Sequence, residues 1–393
     1  MMTTAKALGT GSNADPAPLD TETQKVSGAG RRKLHQLRDF LRGITKVNRC
    51  TKCGHVAVDH VSTVHLVQSS SGQARYSGVM ACNSLWLCPV CSDRIARKRA
   101  RNLTDLLGRW VFARGGLCFQ TFTMPHRIGD PLESTVSAVT RAFRGVLAGR
   151  AWHRIERKFG VEGHVRVLEA TVGPNGWHPH LHVLFFTKAP LSPEQLQALH
   201  LELFERFSRT LARRGFDVPD PKNCPLKAVD DTGIGGYVAK VSAAAELTCW
   251  HTKLGRRANR SPFQVLHDAM AYGDPRDFAL WGEWERTMPG RRQMTWAKGF
   301  EKKVRALPAP PAAELAEEDG ELKSIARLSH ALWGRIRRRK GLDLAALEAV
   351  EVGGYQAAAR LLKATVGQDL DDFEVFHFAD TSADLVGLSN DTT

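Results

Sequence analysis

The sequence lacks the segments that would send a protein into a membrane or out of the cell. No apolar run approaches the roughly 18 residues that a transmembrane helix needs. The first 30 residues contain no apolar stretch of the kind found in a signal peptide, and their Gly, Ser, Thr, Ala and Pro content predicts disorder. We therefore expect a cytoplasmic protein with no membrane partner.

Cysteine is also scarce, with 8 residues among 393. Small secreted domains that are held by disulfides are far richer in cysteine, so a disulfide scaffold is excluded. In a cytoplasmic protein, cysteines that cluster in the sequence are expected to bind a metal ion. Tyrosine is rarer still, with 4 residues, so a tyrosine close to a candidate site is easy to single out.

Acidic residues are outnumbered, and the imbalance is uneven along the chain. There are 55 Lys and Arg residues against 41 Asp and Glu residues, a net charge of +14. Residues 306–393 carry 9 basic and 15 acidic residues, so residues 1–305 carry 46 and 26, a net charge of +20. This basic excess predicts a polyanionic partner such as nucleic acid.

Two Cys-x-x-Cys pairs have the spacing of a zinc site. They consist of Cys50, Cys53, Cys88 and Cys91. Four thiolates complete a tetrahedral Zn²⁺ site without an open position, which indicates a structural role. The 34 residues between the pairs are expected to hold a small hairpin. Cys82 and His55 lie close by, and either is an alternative for one of the four ligands.

Three histidines alternate with other residues in the segment HPHLHVLFF. On a β-strand, His178, His180 and His182 point to the same face. His180 and His182 can then bind one divalent cation, and Glu169 on the preceding predicted strand can add a carboxylate. An otherwise apolar strand face seldom carries a carboxylate that has no partner. A surface histidine cluster is the alternative.

Tyr237 lies in a glycine-rich segment, GIGGYVAK, near the start of a predicted helix. Lys240 follows about one helical turn later, so the two side chains can share a face. A nearby ammonium group favours the phenolate form of tyrosine and also neutralises a phosphate. Alone, the segment fits a buried core tyrosine better, but beside a metal site it predicts a nucleophile.

Several segments together resemble a known family. GWHPHLHVLFF is similar to the motif of HUH endonucleases, and CNSLWLCPVCSDRIARKRA, LCFQTFTMPH, GGYVAKV and GRRANRSPFQVLHDA resemble rolling-circle replication initiators (Rep proteins), especially those of actinobacterial plasmids. The resemblance spans about residues 45–300. It implies an enzyme that nicks one strand of origin DNA, with Tyr237 as the nucleophile and His180, His182 and Glu169 as ligands of Mg²⁺ or Mn²⁺. It also implies a host helicase and polymerase as partners.

Two positions depart from the pattern of some relatives. A Glu four residues before the Tyr, which activates the water that ends the reaction, is replaced by Gly233, and a second Tyr four residues after it is replaced by Val241. Asp230, Asp231 and Glu246 are candidates for the missing base. The departure concerns the termination step and leaves the nicking step unaffected.

The residues expected to contact DNA are mostly basic. They are His178, Arg94, Arg97, Lys98, Arg99, Arg101, Arg256 and Arg257. The first five basic residues follow the second cysteine pair on a predicted helix, for which a solvated helix face is the alternative. The DNA is expected to be single-stranded at the nick site, because the bond must be reached outside the paired duplex.

The resemblance and the hydrophobic periodicity predict an α+β fold. An HUH domain with a central antiparallel sheet and flanking helices would follow a small zinc-binding module and precede a mostly helical C-terminal region. The predicted boundaries are 1–30 for a disordered segment, 31–115 for the zinc-binding and basic helix module, 116–305 for the HUH domain, 306–320 for a linker, and 321–393 for the helical region with an acidic tail.

Three other functions are open on the sequence alone. An HUH transposase or relaxase would use the same chemistry in another biological role, although PFQVLHDA favours a Rep protein. A zinc-dependent DNA-binding regulator would use the histidines only structurally. A metal-dependent nuclease would hydrolyse DNA without a covalent step.

Overall fold

The computed structural model describes residues 28–58, 63–229, 259–310, 322–367 and 373–375. The helices in these ranges are α1 (Gly28–Ile44), α2 (Asn48–Lys52), α3 (Pro89–Phe112), α4 (Leu132–Val146), α5 (Gly149–Phe159), α6 (Pro193–Ala212), α7 (Pro262–Tyr272), α8 (Pro275–Thr287), α9 (Phe300–Arg305), α10 (His330–Arg337) and α11 (Leu342–Val366). The strands are β1 (Val64–Gln68), β2 (Ala74–Ser77), β3 (Gly116–Thr123), β4 (Val161–Gly173), β5 (Gly176–Thr187), β6 (Leu226–Ala228), β7 (Met294–Trp296), β8 (Lys323–Leu328) and β9 (Phe373–Val375). None of the described helices is long and apolar enough to cross a membrane.

The central sheet has five antiparallel strands in the order β6-β3-β5-β4-β7. Its longest strands, β4 and β5, form a hairpin in which Gly173 pairs with Gly176. Gly176 has a φ of +91°, a value that glycine adopts without strain. The sequence Gly173-Pro174-Asn175-Gly176 predicts a turn between two strands, and the structure confirms both the turn and the strands that it joins.

Helices cover both faces of this sheet. On one face α4 and α6 pack Phe143 and Phe207 against the strands, with α5 beside them. On the opposite face α3 and α9 pack Trp110 and Phe300 edge-on against Phe186. The predicted α+β architecture with an antiparallel sheet and flanking helices is confirmed at this level.

A second, smaller sheet joins two distant parts of the chain. Its antiparallel strands follow the order β2-β1-β8-β9. The hairpin β1–β2 lies between the two cysteine pairs, as the sequence predicts. Helices α10 and α11 cover this sheet, and Trp333 of α10 is buried against it at 2% exposure.

The C-terminal region is helical only in part. Helices α10 and α11 confirm the prediction of helix, but residues 321–363 also look helical in the sequence, and that prediction is wrong for β8. Ser324, Ala326 and Leu328 are buried and alternate with more exposed residues, a period of two that suits a strand. Because β8 pairs with β1, the C-terminal region and the hairpin between the cysteine pairs share one sheet.

Acidic residues of the C-terminal region pair with the basic helix α1. The ion pairs join Arg31 to Glu351, Arg32 to Glu348 (3.0 Å) and Arg38 to Asp343 (3.0 Å). The acidic C-terminal region and the basic N-terminal part of the chain therefore contact each other between α1 and α11.

Ser92 can cap a helix, so the sequence predicts that α3 begins just after it, but the helix begins earlier. It starts at Pro89 rather than just after Ser92, and Cys88 is its N-cap residue. Proline suits the first position of a helix because its fixed φ is helical and its missing N–H group would have no helical partner. The earlier start places Cys91 in the first turn of the helix.

Half-buried His164 on β4 is expected to make the fold sensitive to acid. Burial, and secondarily the charge of Arg166, lowers the pKa of His164 to about 4. The unfolded chain therefore binds a proton more readily than the folded chain between about pH 4 and pH 6.5, so stability is lost as the pH falls through this range. We expect His164→Leu to lose less stability than the wild type between pH 7 and pH 5, by on the order of 1–2 kcal/mol.

Urea unfolding at the two pH values measures this difference. His153→Gln is the matched control, because His153 is an exposed histidine on α5, and it is expected to follow the wild type. An equal loss of stability in His164→Leu and the wild type would contradict the assignment.

Candidate metal centre and cysteine cluster

The hairpin register brings one carboxylate and two imidazoles together. Glu169 on β4 lies directly opposite His180 on β5, and Val167 lies opposite His182. Side chains that are opposite each other in an antiparallel pair share a face, with Cβ atoms about 4.5–5.5 Å apart. All three candidate ligands therefore lie on the face that α3 and α9 cover.

The three ligand atoms are close enough to share one ion. Glu169 Oε2 is 3.2 Å from His180 Nε2 and 3.5 Å from His182 Nε2, and the ligand atoms all lie within 4.8 Å of one another. Two ligands at about 2.1 Å from one ion are about 3.0 Å apart in octahedral geometry and about 3.5 Å apart in tetrahedral geometry. The spacing fits a single divalent cation.

The strands hold the second nitrogen of each imidazole ring. His180 Nδ1 donates to the carbonyl oxygen of His178 at 3.2 Å, which leaves Nε2 directed at Glu169. His182 Nδ1 forms a 3.2 Å hydrogen bond with Thr121 Oγ1 on β3. Partners of this kind fix the tautomer and orientation of metal-binding histidines. The rings are thus oriented to bind metal through Nε2.

Burial supports a metal-binding role for the group. Glu169 is 3% exposed and His182 is 7% exposed. An ionised carboxylate is costly at such a depth unless positive charge or hydrogen bonds compensate it. Carboxylate and imidazole ligands accept Mg²⁺ or Mn²⁺, and the imidazoles favour Mn²⁺ of the two.

His178 lies two residues before His180 on the same strand face, but it has partners of its own. Its Nδ1 is 3.1 Å from His126 Nδ1 and its Nε2 is 3.0 Å from Thr123 Oγ1. Burial, together with the charges of His180 and His126, lowers the pKa of His178 to about 3. His178 is therefore neutral at physiological pH, at the end of the candidate metal group.

A second group of candidate ligands is made of cysteines. Cys53, Cys82, Cys88 and Cys91 are buried, and their sulfurs lie within 4.8 Å of one another. Three of the Sγ–Sγ distances are 3.7, 3.5 and 3.6 Å. A tetrahedral ion with bonds of about 2.3 Å to sulfur has sulfurs about 3.8 Å apart. The cluster fits one zinc ion closely.

The structure places Cys82, rather than the predicted Cys50, within this group. The segment that follows β2 returns to the cluster, and the backbone N–H of Cys82 donates to Cys53 Sγ at 3.4 Å. Cys50 is buried beside the group, where a hydrogen bond with Cys82 lowers the pKa of its thiol. His55, the other alternative, is not in the group, and its carbonyl oxygen accepts from Trp333 Nε1 at 3.0 Å.

The basic residues of α3 differ in their availability to a ligand. Arg94 and Lys98 are exposed, and Arg94 also donates to Asn83 Oδ1 at 2.5 Å. Arg97 is in an ion pair with Asp93 of the same helix. Arg99 donates to Gln293 Oε1 at 2.6 Å, and burial lowers its pKa. Arg101 is half-buried.

Some of the predicted site residues lie outside the described residues. They are Tyr237, Lys240, Arg256, Arg257, Gly233, Asp230, Asp231 and Glu246. The nucleophile, the second DNA-binding pair and the candidate bases therefore stay predictions.

Two threonines that support the metal group were not singled out from the sequence. Thr121 and Thr123 on β3 lie opposite His182 and His180 in the sheet register. Their spacing of two residues in the alternating segment LCFQTFTM was a signal that both face the same side. The sequence could not show that β5, which carries the histidines, pairs with β3 as well as with β4.

Comparison with known protein families identifies the family of this chain. Residues 74–341, more than two thirds of its length, match the family described as replication protein. The chain belongs to this family. The resemblance to a plasmid replication initiator of actinobacterial type is therefore confirmed.

Two relatives come from Streptomyces. The chain is 27% identical over 368 residues to "Protein rep" of Streptomyces lividans, which covers 75% of this replication protein and 80% of the relative. It is 28% identical over 152 residues to "Neomycin resistance protein" of Streptomyces cyanogenus, which covers 32% of this chain and 35% of that relative. No solved structure gives a significant match.

The cysteine geometry gives a direct test of the zinc ligands. We expect Cys82→Ser to lose bound zinc and to melt at a lower temperature, because it removes one corner of the tetrahedron. Cys50→Ser is the matched control and is expected to keep about one zinc per chain. Elemental analysis by mass spectrometry and thermal melts check both outcomes. Zinc lost from Cys50→Ser and retained by Cys82→Ser would contradict the geometry and favour the ligands first predicted.

Proposed function

We propose that this replication protein starts plasmid replication by cutting one DNA strand at the origin, through attack of a tyrosine on a phosphodiester. The observation that carries the proposal is the group of Glu169, His180 and His182, whose ligand atoms meet on one face of the central sheet. A buried group of this kind in a replication protein suits a reaction in which negative charge develops on phosphate oxygens.

Each member of the group has a defined role in this proposal. Glu169, His180 and His182 would hold Mg²⁺ or Mn²⁺, which when bound polarises the scissile phosphate and stabilises charge on its oxygens. Thr121 keeps the His182 ring in place through its hydrogen bond to Nδ1. His178, at the end of the same strand face, would contact the DNA strand next to the cleaved bond.

The nucleophile in the proposal is Tyr237. Its phenol oxygen attacks phosphorus in line, so that a new O–P bond links the protein to the 5′-phosphate as the bond to the 3′-oxygen breaks. The phenol proton passes to a base, and the 3′-oxygen takes up a proton and leaves as a 3′-OH. The ordinary pKa of tyrosine is about 10, and Lys240 would favour the phenolate form.

The products of the cut fit the start of rolling-circle replication. The free 3′-OH would prime a host polymerase, with a host helicase opening the duplex ahead of it. The phosphotyrosine bond keeps the energy of the broken phosphodiester, so the later joining step needs no ATP. Since Gly233 replaces the Glu of some relatives, the base for the closing step would come from Asp230, Asp231 or Glu246.

The DNA itself would be held by positive charge. On α3, exposed Arg94 and Lys98 are the residues best placed to contact phosphates. The half-buried Arg97, Arg99 and Arg101 would support them on the same helix. Arg256 and Arg257 would contact the strand that carries the cleaved bond. Affinity carried by such contacts falls steeply with salt concentration.

A covalent adduct tests the proposal. Incubation of the protein with Mn²⁺ and single-stranded oligonucleotides that carry candidate origin sequences is expected to give an SDS-resistant protein–DNA band. We expect Tyr237→Phe to abolish the band, because phenylalanine has no oxygen to attack phosphorus. Tyr272→Phe is the matched control and is expected to keep it, since Tyr272 is 80% exposed at the end of α7.

The other outcomes point to different functions. An adduct that persists in Tyr237→Phe would overturn the assignment of the nucleophile. Cleavage with no adduct would favour a hydrolytic nuclease, and binding without cleavage would favour a DNA-binding regulator.

A further inference from the structure

A basic cleft lies where four segments of the chain meet. It has a volume of about 520 Å³ and is bordered by α1, by the loop that follows the first cysteine pair, by the end of α7 and by the connection between α10 and α11. None of its lining residues belongs to the Glu169–His180–His182 group. Its charge is set by Arg42, Arg337, Arg338, Arg339 and Lys340.

The two carboxylates in the cleft are already neutralised from within the protein. Asp343 pairs with buried Arg38 at 3.0 Å, and Asp39 pairs with Arg42 at 3.0 Å and with Arg38 at 3.4 Å. Because these acids are occupied, they do not offset the charge of the run at residues 337–340. In the described part of the chain, no carboxylate forms an ion pair with any member of that run.

The run is exposed but held in place. Arg337, Arg338, Arg339 and Lys340 are all exposed. Buried Trp333, one helical turn earlier, donates to the carbonyl oxygen of His55, and Arg337 Nη1 donates to the same oxygen at 3.4 Å. The run therefore follows a helix that is tied to the loop after the first cysteine pair.

The four cations are too many to be explained by their stabilising the C-terminal end of α10. One positive charge near the last turn of α10 contributes about 0.3–1 kcal/mol through the helix dipole. Arg339 and Lys340 lie past the end of that helix, where they repel their neighbours and gain little from it. Adjacent exposed cations that no carboxylate of the described residues pairs with are typical of a surface that binds an external polyanion.

We propose that this cleft binds the sugar–phosphate backbone of double-stranded DNA, separately from the strand-cutting site. The inference rests on the proposed function, since it assigns the surface that would hold duplex DNA beside the nick. Grooves for single strands add aromatic rings on which bases stack. The rings among the described lining residues are those of Phe40 and His55, and both are half-buried. Phe40 lies beside Phe278, with ring centroids 6.1 Å apart. A lining that is rich in exposed cations, and whose rings are only half-buried, favours contacts to a duplex backbone.

The test removes three of the charges and compares two kinds of DNA. In the triple variant Arg338→Gln, Arg339→Gln and Lys340→Gln, affinity for a fluorescent 30-bp duplex is expected to fall at least about tenfold near 0.1 M salt. The slope of log affinity against log salt is expected to fall by about 2–3, since each lost phosphate contact contributes about 0.9. Cleavage of a short single-stranded oligonucleotide is expected to stay at the wild-type rate.

The matched control removes three exposed arginines from α5. Arg150→Gln, Arg154→Gln and Arg157→Gln lower the net charge by the same amount, and all three side chains are exposed. This variant is expected to bind the duplex within about threefold of the wild type. Circular dichroism melts check that both variants fold.

Several results would overturn the inference. The cleft variant could bind the duplex with wild-type affinity, or the control variant could lose as much duplex affinity as the cleft variant. The cleft variant could also lose as much affinity for single-stranded DNA as for the duplex. Loss of binding to vesicles of anionic lipid with duplex affinity retained would assign the cleft to a membrane surface instead. The binding assay does not require cleavage, so a chain that cuts no strand would end the proposed function and still leave the cleft tested.

Discussion

The register of the β4–β5 hairpin is the constraint on which the candidate metal centre depends. Because Glu169 lies opposite His180 in that register, a carboxylate and two imidazoles converge with 3.2 and 3.5 Å between their ligand atoms. A slip of one residue would turn the histidines to the face that α4 and α6 cover. The turn with Gly176 at positive φ, and the apolar residues on both faces of the hairpin, hold the register.

The cysteine cluster is connected to the candidate metal centre through helix α3. Cys88 and Cys91 lie at the start of α3, and Trp110, near the end of that helix, packs against Phe186 on the face of the sheet that carries the candidate metal ligands. A metal ion on the cysteines would therefore anchor the helix that covers this face. The hairpin between the cysteine pairs is in turn extended by β8 and β9, so the C-terminal region is tied to the same cluster. We infer that a zinc ion here would stabilise several parts of the chain at once.

Local patterns were sufficient to predict that Glu169, His180 and His182 lie together, but not which other segments surround them. The alternation of HPHLHVLFF and the turn at residues 173–176 specify a hairpin, and the hairpin alone brings Glu169 to the histidines. Strand β8 was missed because its partner β1 lies more than 250 residues earlier, and no local pattern encodes such a pairing. Cys82 was left as an alternative, since ligand spacing in a sequence does not show which of five nearby thiols the chain brings together. Tyr237 stays a prediction from its sequence context.

Pulsed electron paramagnetic resonance of the chain loaded with one Mn²⁺ tests the central claim most directly. Couplings to the nitrogens of two histidines are predicted for the wild type and for the nearby control His126→Ala. His180→Ala is predicted to lose one of these couplings, and Glu169→Ala to bind Mn²⁺ more weakly. A Mn²⁺ signal without histidine nitrogen couplings, or one that none of these substitutions changes, would contradict a metal centre built by the register of the two central strands.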